Sequence, residues 1–129
     1  MSSRWKSSRG LSLVLAIFSV ASPWLLRSPH APTPGVRQVS EAAETVIPVQ
    51  TRLRYTTMIV LPDEEEILDI VCGDKDFWVI SATHNLAHVK PAKEGAATDL
   101  NLVTASGAVY SFLLNEKGGT STPDLKVYV

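Results

Sequence analysis

Phe77-Trp78-Val79-Ile80-Ser81-Ala82, Thr83-His84-Asn85 and Leu86-Ala87-His88-Val89-Lys90-Pro91 decide the fold of this 129-residue chain. The first run is aromatic and β-branched, which suits a pleated, half-buried surface. Thr83-His84-Asn85 reads as a hairpin turn between two strands. Pro91 cannot donate to a ladder, so Lys90-Pro91 closes the returning strand.

The same punctuation continues on both sides. Upstream, Ile67–Cys72 is an apolar run with Asp69 inside it, and Gly73-Asp74-Lys75-Asp76 is a turn by composition. Pro62 and Asp63 mark another turn, extended by Glu64–Glu66. From Val49 the pattern has period two: Leu53, Tyr55, Thr57, Ile59 and Leu61 alternate with Arg52, Arg54, Thr56, Met58 and Val60, which predicts one long first strand. Downstream, Lys93–Ala96 is a loop and Thr98–Thr104 a strand. Ser106-Gly107 is a tight turn and Val109–Asn115 a strand. Lys117–Pro123 is a Gly/Ser/Thr loop, and Asp124–Val129 alternates again. Short strands with turn signals every 8–12 residues point to an all-β sandwich or small barrel. The expected fold is a small antiparallel β-sandwich of about seven strands over residues 49–129.

Two segments precede it. Residues 1–27 carry Arg4, Lys6, Arg9 and Arg27 and no acid, and Leu11–Val20 is almost wholly apolar. Ser19-Val20-Ala21 places small residues at a cleavage position. Residues 1–21 therefore read as a secretory signal peptide, with an uncleaved membrane anchor as the alternative. Residues 22–48, with Pro29, Pro32, Pro34 and Pro48, read as a Pro-rich linker in which Glu41–Thr45 has room for one helical turn. The expected location is the periplasm or cell envelope.

Composition narrows the function. The chain is 45% hydrophobic and 19% charged, with net charge −1. Beyond residue 27 it holds eight basic and 13 acidic residues. That acidic body argues against direct nucleic-acid binding, which needs a basic footprint. The single cysteine, Cys72, excludes an internal disulfide and any cysteine-rich zinc site.

No constellation for catalysis stands out. His84 and His88 share a strand face, but four residues at about 3.3 Å each set them roughly 13 Å apart, too far for one metal. The acidic turns Asp63–Glu66 and Asp74/Asp76 lack the ordered oxygen ligands of a calcium site. Cys72 reads as a small buried hydrophobe. Gly118-Gly119 opens no helix and so cradles no phosphate. No catalytic, cofactor-binding or metal residue is expected. Arg52 and Arg54 share one face of the predicted first strand and form a candidate patch for an acidic partner. Phe77, Trp78, Tyr110 and Phe112 are either core or a stacking platform.

Six blocks in order carry a family resemblance. They are Thr57–Pro62 with Glu66–Asp69, Gly73-Asp74 followed by Trp78, Val89-Lys90-Pro91, Ala97-Thr98-Asp99-Leu100, Thr104, and the strand holding Tyr110 and Phe112. Over about Tyr55–Val129 the body resembles the amino-terminal domain of the TrbG/CagX-type conjugal transfer family, the outer-membrane core component of type IV secretion systems. Asp99 stands where that family has asparagine. The resemblance implies a non-enzymatic, exported structural component with a periplasmic β domain. It implies a homo-oligomeric ring and contact with an inner-membrane channel subunit. It gives Pro62, Gly73, Asp74, Trp78, Lys90, Pro91, Thr98 and Tyr110 structural roles. The family's second β domain binds a lipoprotein. The chain ends at Val129, before such a domain, so lipoprotein contact is not expected. The alternative is a stand-alone periplasmic module binding a glycan or peptide through Trp78 or Tyr110 on an exposed face.

Overall fold

A computed structural model describes residues 2–3, 10, 31–40 and 42–129. The signal-peptide or anchor reading of residues 1–21 lies outside the described residues. Residues 31–129 form a unit distinct from residues 1–30.

The body is all-β, with nine strands in two sheets. These are β1 (Val36–Gln38), β2 (Val46–Thr51), β3 (Thr57–Val60), β4 (Ile67–Cys72), β5 (Trp78–Thr83), β6 (Leu86–Pro91), β7 (Ala97–Thr104), β8 (Val109–Glu116) and β9 (Lys126–Tyr128). One sheet runs β1-β9-β3-β6-β5 and the other β2-β8-β7-β4. Their facing rows form the core. Ile47 and Val49 of β2, Leu100 and Leu102 of β7, and Phe112 and Leu114 of β8 face Ile59 of β3, Ala87 and Val89 of β6 and Val127 of β9. Strict alternation in β8, where Tyr110, Phe112, Leu114 and Glu116 are buried and the residues between them are not, is the period-two rule at work.

Three expectations need correction. First, Val49–Leu61 is two strands rather than one. The chain leaves β2 at Thr51, turns through Arg52–Thr56 and enters the other sheet at Thr57. Arg54 makes that corner at φ 70°, an αL conformation for which a non-glycine residue gives no compositional signal. Second, residues 36–38 and 46–48, read as linker, belong to strands. Pro48 is tolerated because β2 is a sheet edge. The single turn foreseen between Glu41 and Thr45 is present as a 3-10 turn, Ala42–Glu44. Third, the sheets are mixed. β2–β8, β1–β9 and β3–β9 are parallel, while β3–β6, β5–β6, β4–β7 and β7–β8 are antiparallel. Each parallel pair is linked by a long connection, as parallel pairing requires.

Candidate functional site

The residues singled out from sequence do not converge on one pocket. Most of them hold turns. Glu65 N donates to Pro62 O at 2.9 Å, closing the turn after β3. At Gly73 a Cβ would collide with Asp99 Oδ1 and come within 3.0 Å of Thr98 Oγ1, so a side chain there would have to displace the exposed Asp99 carboxylate and crowd the Thr98 hydroxyl. Its φ is not positive, unlike that of Gly35 or Gly107. Asp74 N donates to Thr98 Oγ1 at 2.9 Å, and Asp76 N donates to Asp74 Oδ1 at 3.0 Å. That second bond is an Asx turn. Trp78 is paired with Pro91 across the β5–β6 ladder, and both are buried. Lys90 beside it is exposed.

The aromatic residues settle as core. Trp78 and Tyr110 are each 5% exposed, and Phe112 is fully buried. A glycan or peptide platform built on Trp78 or Tyr110 is therefore overturned, because neither face is accessible. Phe77 is the exception. It is exposed, with the Lys93 ammonium 4.4 Å from its ring centroid. The two arginines also part company with their expected shared strand face. Arg52 is half-buried and lies 5.7 Å from the Tyr55 ring centroid, whereas Arg54 is exposed at the corner. Both line a shallow recess of about 280 Å³ with Glu94 and Glu116.

Three polar clusters were missed in the sequence. The first ties the last strand in place. Asp124 Oδ2 accepts from Gln50 N at 2.9 Å and from Arg37 Nη2 at 3.1 Å, and Asp124 N donates to Gln50 O at 2.8 Å. In the second, the buried Glu116 carboxylate accepts from Gly95 N at 2.7 Å and Leu53 N at 3.3 Å. It joins the corner after β2 to the loop before β7. In the third, Ser106 Oγ donates to Glu65 at 2.8 Å and lies 3.0 Å from Thr104 Oγ1. The Thr104 and Ser106 hydroxyls hold the Glu65 carboxyl below its usual range. Burial, reinforced by the negative charges of Glu65 and Glu64, pushes the Tyr110 phenol up. No motif announces these clusters, since each joins residues distant in sequence.

Among the described residues, no group of three or more His, Cys, Asp and Glu side chains is placed to hold a metal ion. His84 sits in the β5–β6 turn at φ 54°, and His88 lies in β6 opposite Met58 and Ser81. Cys72 is a half-buried free thiol, with Sγ 3.3 Å from Asp74 O.

The family model for conjugal transfer proteins, CagX, matches residues 34–129. The chain belongs to the CagX/TrbG conjugal transfer family. The match begins two residues before β1 and runs through β9, so it takes in the whole sandwich, including the strands of the presumed linker. No curated protein matches the chain. Membership brings a structural, non-enzymatic role and a periplasmic or cell-envelope setting. The site residues are accordingly those that shape turns and edges, not reacting groups.

Proposed function

We propose that this CagX-family chain is a ring-forming periplasmic component of a type IV secretion or conjugation envelope complex. Its neighbours in that reading are identical copies and an inner-membrane channel subunit. The observation that carries the proposal is the family match over the entire sandwich. The fold agrees with it. Trp78, Tyr110 and Phe112 are buried, whereas Tyr55, Phe77 and Tyr128 are exposed. What remains for recognition is sheet edge, exposed apolar residues such as Leu68 and Val79, and surface charge. The acidic body selects partners with complementary basic patches.

The test is affinity purification of the tagged full-length chain from its native membrane, with mass spectrometry and a particle-size measurement. Recovery in a large assembly with a channel subunit is the expected result. A monodisperse monomer with no envelope protein attached refutes the reading.

A further inference from the structure

The two flanks of the sandwich are closed differently. On the β1/β2 flank, Arg37 and Asp124 bind across to Pro48 and Gln50 with polar bonds. On the other flank the edges β4 and β5 are not hydrogen-bonded as strands. The gap between them is lined by Ile70, Cys72, Lys75, Trp78 and Ile80 around a cavity of about 280 Å³. It continues as a second cavity of about 310 Å³ bounded by Ile67–Ile70 and Ala82. Ile67, Ile70, Cys72, Ile80 and Ala82 pack on the core but are only partly covered.

The four edge strands also differ in protection. Natural edges are blunted by shortness, charge, proline or bulges. β1 has three residues and carries Arg37. β2 carries Pro48. β4 has a register irregularity between Ile67 and Asp69 and a charge at Asp69. β5, Trp-Val-Ile-Ser-Ala-Thr, is six residues long, regular and uncharged. Ala92 N donates to Phe77 O at 2.8 Å. In the antiparallel alternation this turns the N–H groups of Val79 and Ser81 to β6 and those of Trp78, Ile80 and Ala82 to the open edge. The Trp78 indole Nε1 is also buried without a hydrogen-bond partner.

We propose that the β4/β5 flank takes an extended segment of a partner protein, added as a strand along β5. Main-chain bonds to Trp78, Ile80 and Ala82 would supply register, and side-chain pockets the choice of sequence. The segment is uncharged where it faces β5, because a charge there would be desolvated with no counterpart. One large apolar side chain of the segment enters the cavity against Ile70 and Ile80. A second copy of β5 fits less well. Its inward side chains, Trp78, Ile80 and Ala82, already pack on that copy's own core, so none is free to fill the cavity. Lys75, which makes no ion pair among the described residues, favours an acceptor at the cavity mouth. The surface stands whether or not the chain is a ring component.

The probe is a synthetic peptide, acetyl-Thr-Ser-Val-Leu-Val-Ser-Thr-Asp-amide, titrated into the isotope-labelled full-length chain in detergent micelles. The expected result is a shift of the Trp78 indole N–H and slowed exchange at the amides of Trp78, Ile80 and Ala82. Replacing the peptide leucine with alanine should weaken binding by about tenfold or more. Ala82→Pro removes an outward donor while leaving the β6 ladder intact, and should abolish binding with the β5–β6 cross-peaks retained. The proposal is overturned if those amides and the indole do not respond. It is overturned if Ala82→Pro binds equally well, or if the leucine and alanine peptides bind alike. It is overturned, in favour of a second copy, if the same protection arises from raising the protein concentration alone.

Discussion

Asp124→Ala tests whether the last strand is held by one carboxylate. β9 lies between β1 and β3, parallel to both, and Val127 at its centre is fully buried. The Asp124 side chain joins the approach to this strand to Gln50 at the end of β2 and to Arg37 in β1. Two contributions can be separated. The Arg37 ion pair spans 3.1 Å, with the arginine side chain 35% and the aspartate 17% exposed. Solvent screening puts it in the surface range of about 0–1 kcal/mol. The Gln50 amide donates to a charged acceptor, for which about 1.5 kcal/mol is the lower end of the usual range. Asp124→Ala should therefore cost about 2 kcal/mol, which lowers the melting temperature of a domain this size by about 8–16 °C. Asp124→Asn keeps an acceptor for Gln50 N and should cost about half as much. Arg37→Ala should cost less than about 1 kcal/mol, and a double-mutant cycle with Asp124 should give a coupling of the same small size. At 1 M salt, where the screening length is about 3 Å, the Arg37 share should vanish and the Gln50 share persist. The assay is urea unfolding followed by far-ultraviolet circular dichroism at two salt concentrations. The reasoning fails if Asp124→Ala is within about 0.5 kcal/mol of the parent, or if high salt erases the whole effect.

The core and its margins give further expectations. Phe112→Ala should cost about 3–5 kcal/mol, enough to unfold a marginal domain, whereas Leu113→Ala on the exposed face of the same strand should cost less than about 0.5 kcal/mol; comparing their urea midpoints checks the inside–outside assignment of β8. Stability should fall as pH rises through the alkaline range, because the Tyr110 phenol titrates higher in the folded than in the unfolded chain. The folded state then holds the proton that the unfolded state has lost, and Tyr110→Phe should flatten this alkaline slope in a pH series of melts. Ser106→Ala should raise the Glu65 titration point toward the ordinary glutamate value, read by carbon-detected NMR, since the Ser106 hydroxyl helps hold it down. Arg54→Gly should raise the melting temperature by a few degrees, as glycine adopts the αL corner at φ 70° without the Cβ penalty.

The parts of the fold legible in the sequence are those with local rules. Ile67–Cys72 coincides with β4 residue for residue; in the β5–β6 hairpin, β5 is displaced by one residue at both ends from Phe77–Ala82, and β6 starts at Leu86 as expected and runs one residue further, to Pro91. Both have β-branched runs bounded by turn residues. The corner at Arg52–Thr56 escaped notice because alternation continues through it by coincidence, and because the residue that adopts positive φ is an arginine. β1 and the first half of β2 were hidden by prolines, which mark a linker by composition but are admissible on an edge. The parallel pairings were invisible for a different reason. Nothing in Lys126-Val127-Tyr128 states that its neighbours are Val36–Gln38 and Met58–Val60, some 70 to 90 residues earlier. The family blocks were legible as turns, and at Gly73 the crowding comes from the Thr98 and Asp99 side chains of β7 rather than from its own backbone angle.

The same distinction bears on recognition. Candidates chosen for chemistry, such as Trp78 and Tyr110, turn out to be core. The informative asymmetry belongs to the topology. One flank is tied together by Arg37, Asp124 and Gln50 through polar bonds. The other presents an uncharged edge, a partly covered row of apolar side chains and a buried indole donor without an acceptor. A domain this small buries a limited share of its surface and gains from association. Association through the tied flank would first break bonds already made. Along β5 an added strand would form new ones and cover apolar surface. The proposed assembly would therefore use β5, and the Ala82→Pro variant, which leaves the Arg37–Asp124 flank untouched, separates the two directions.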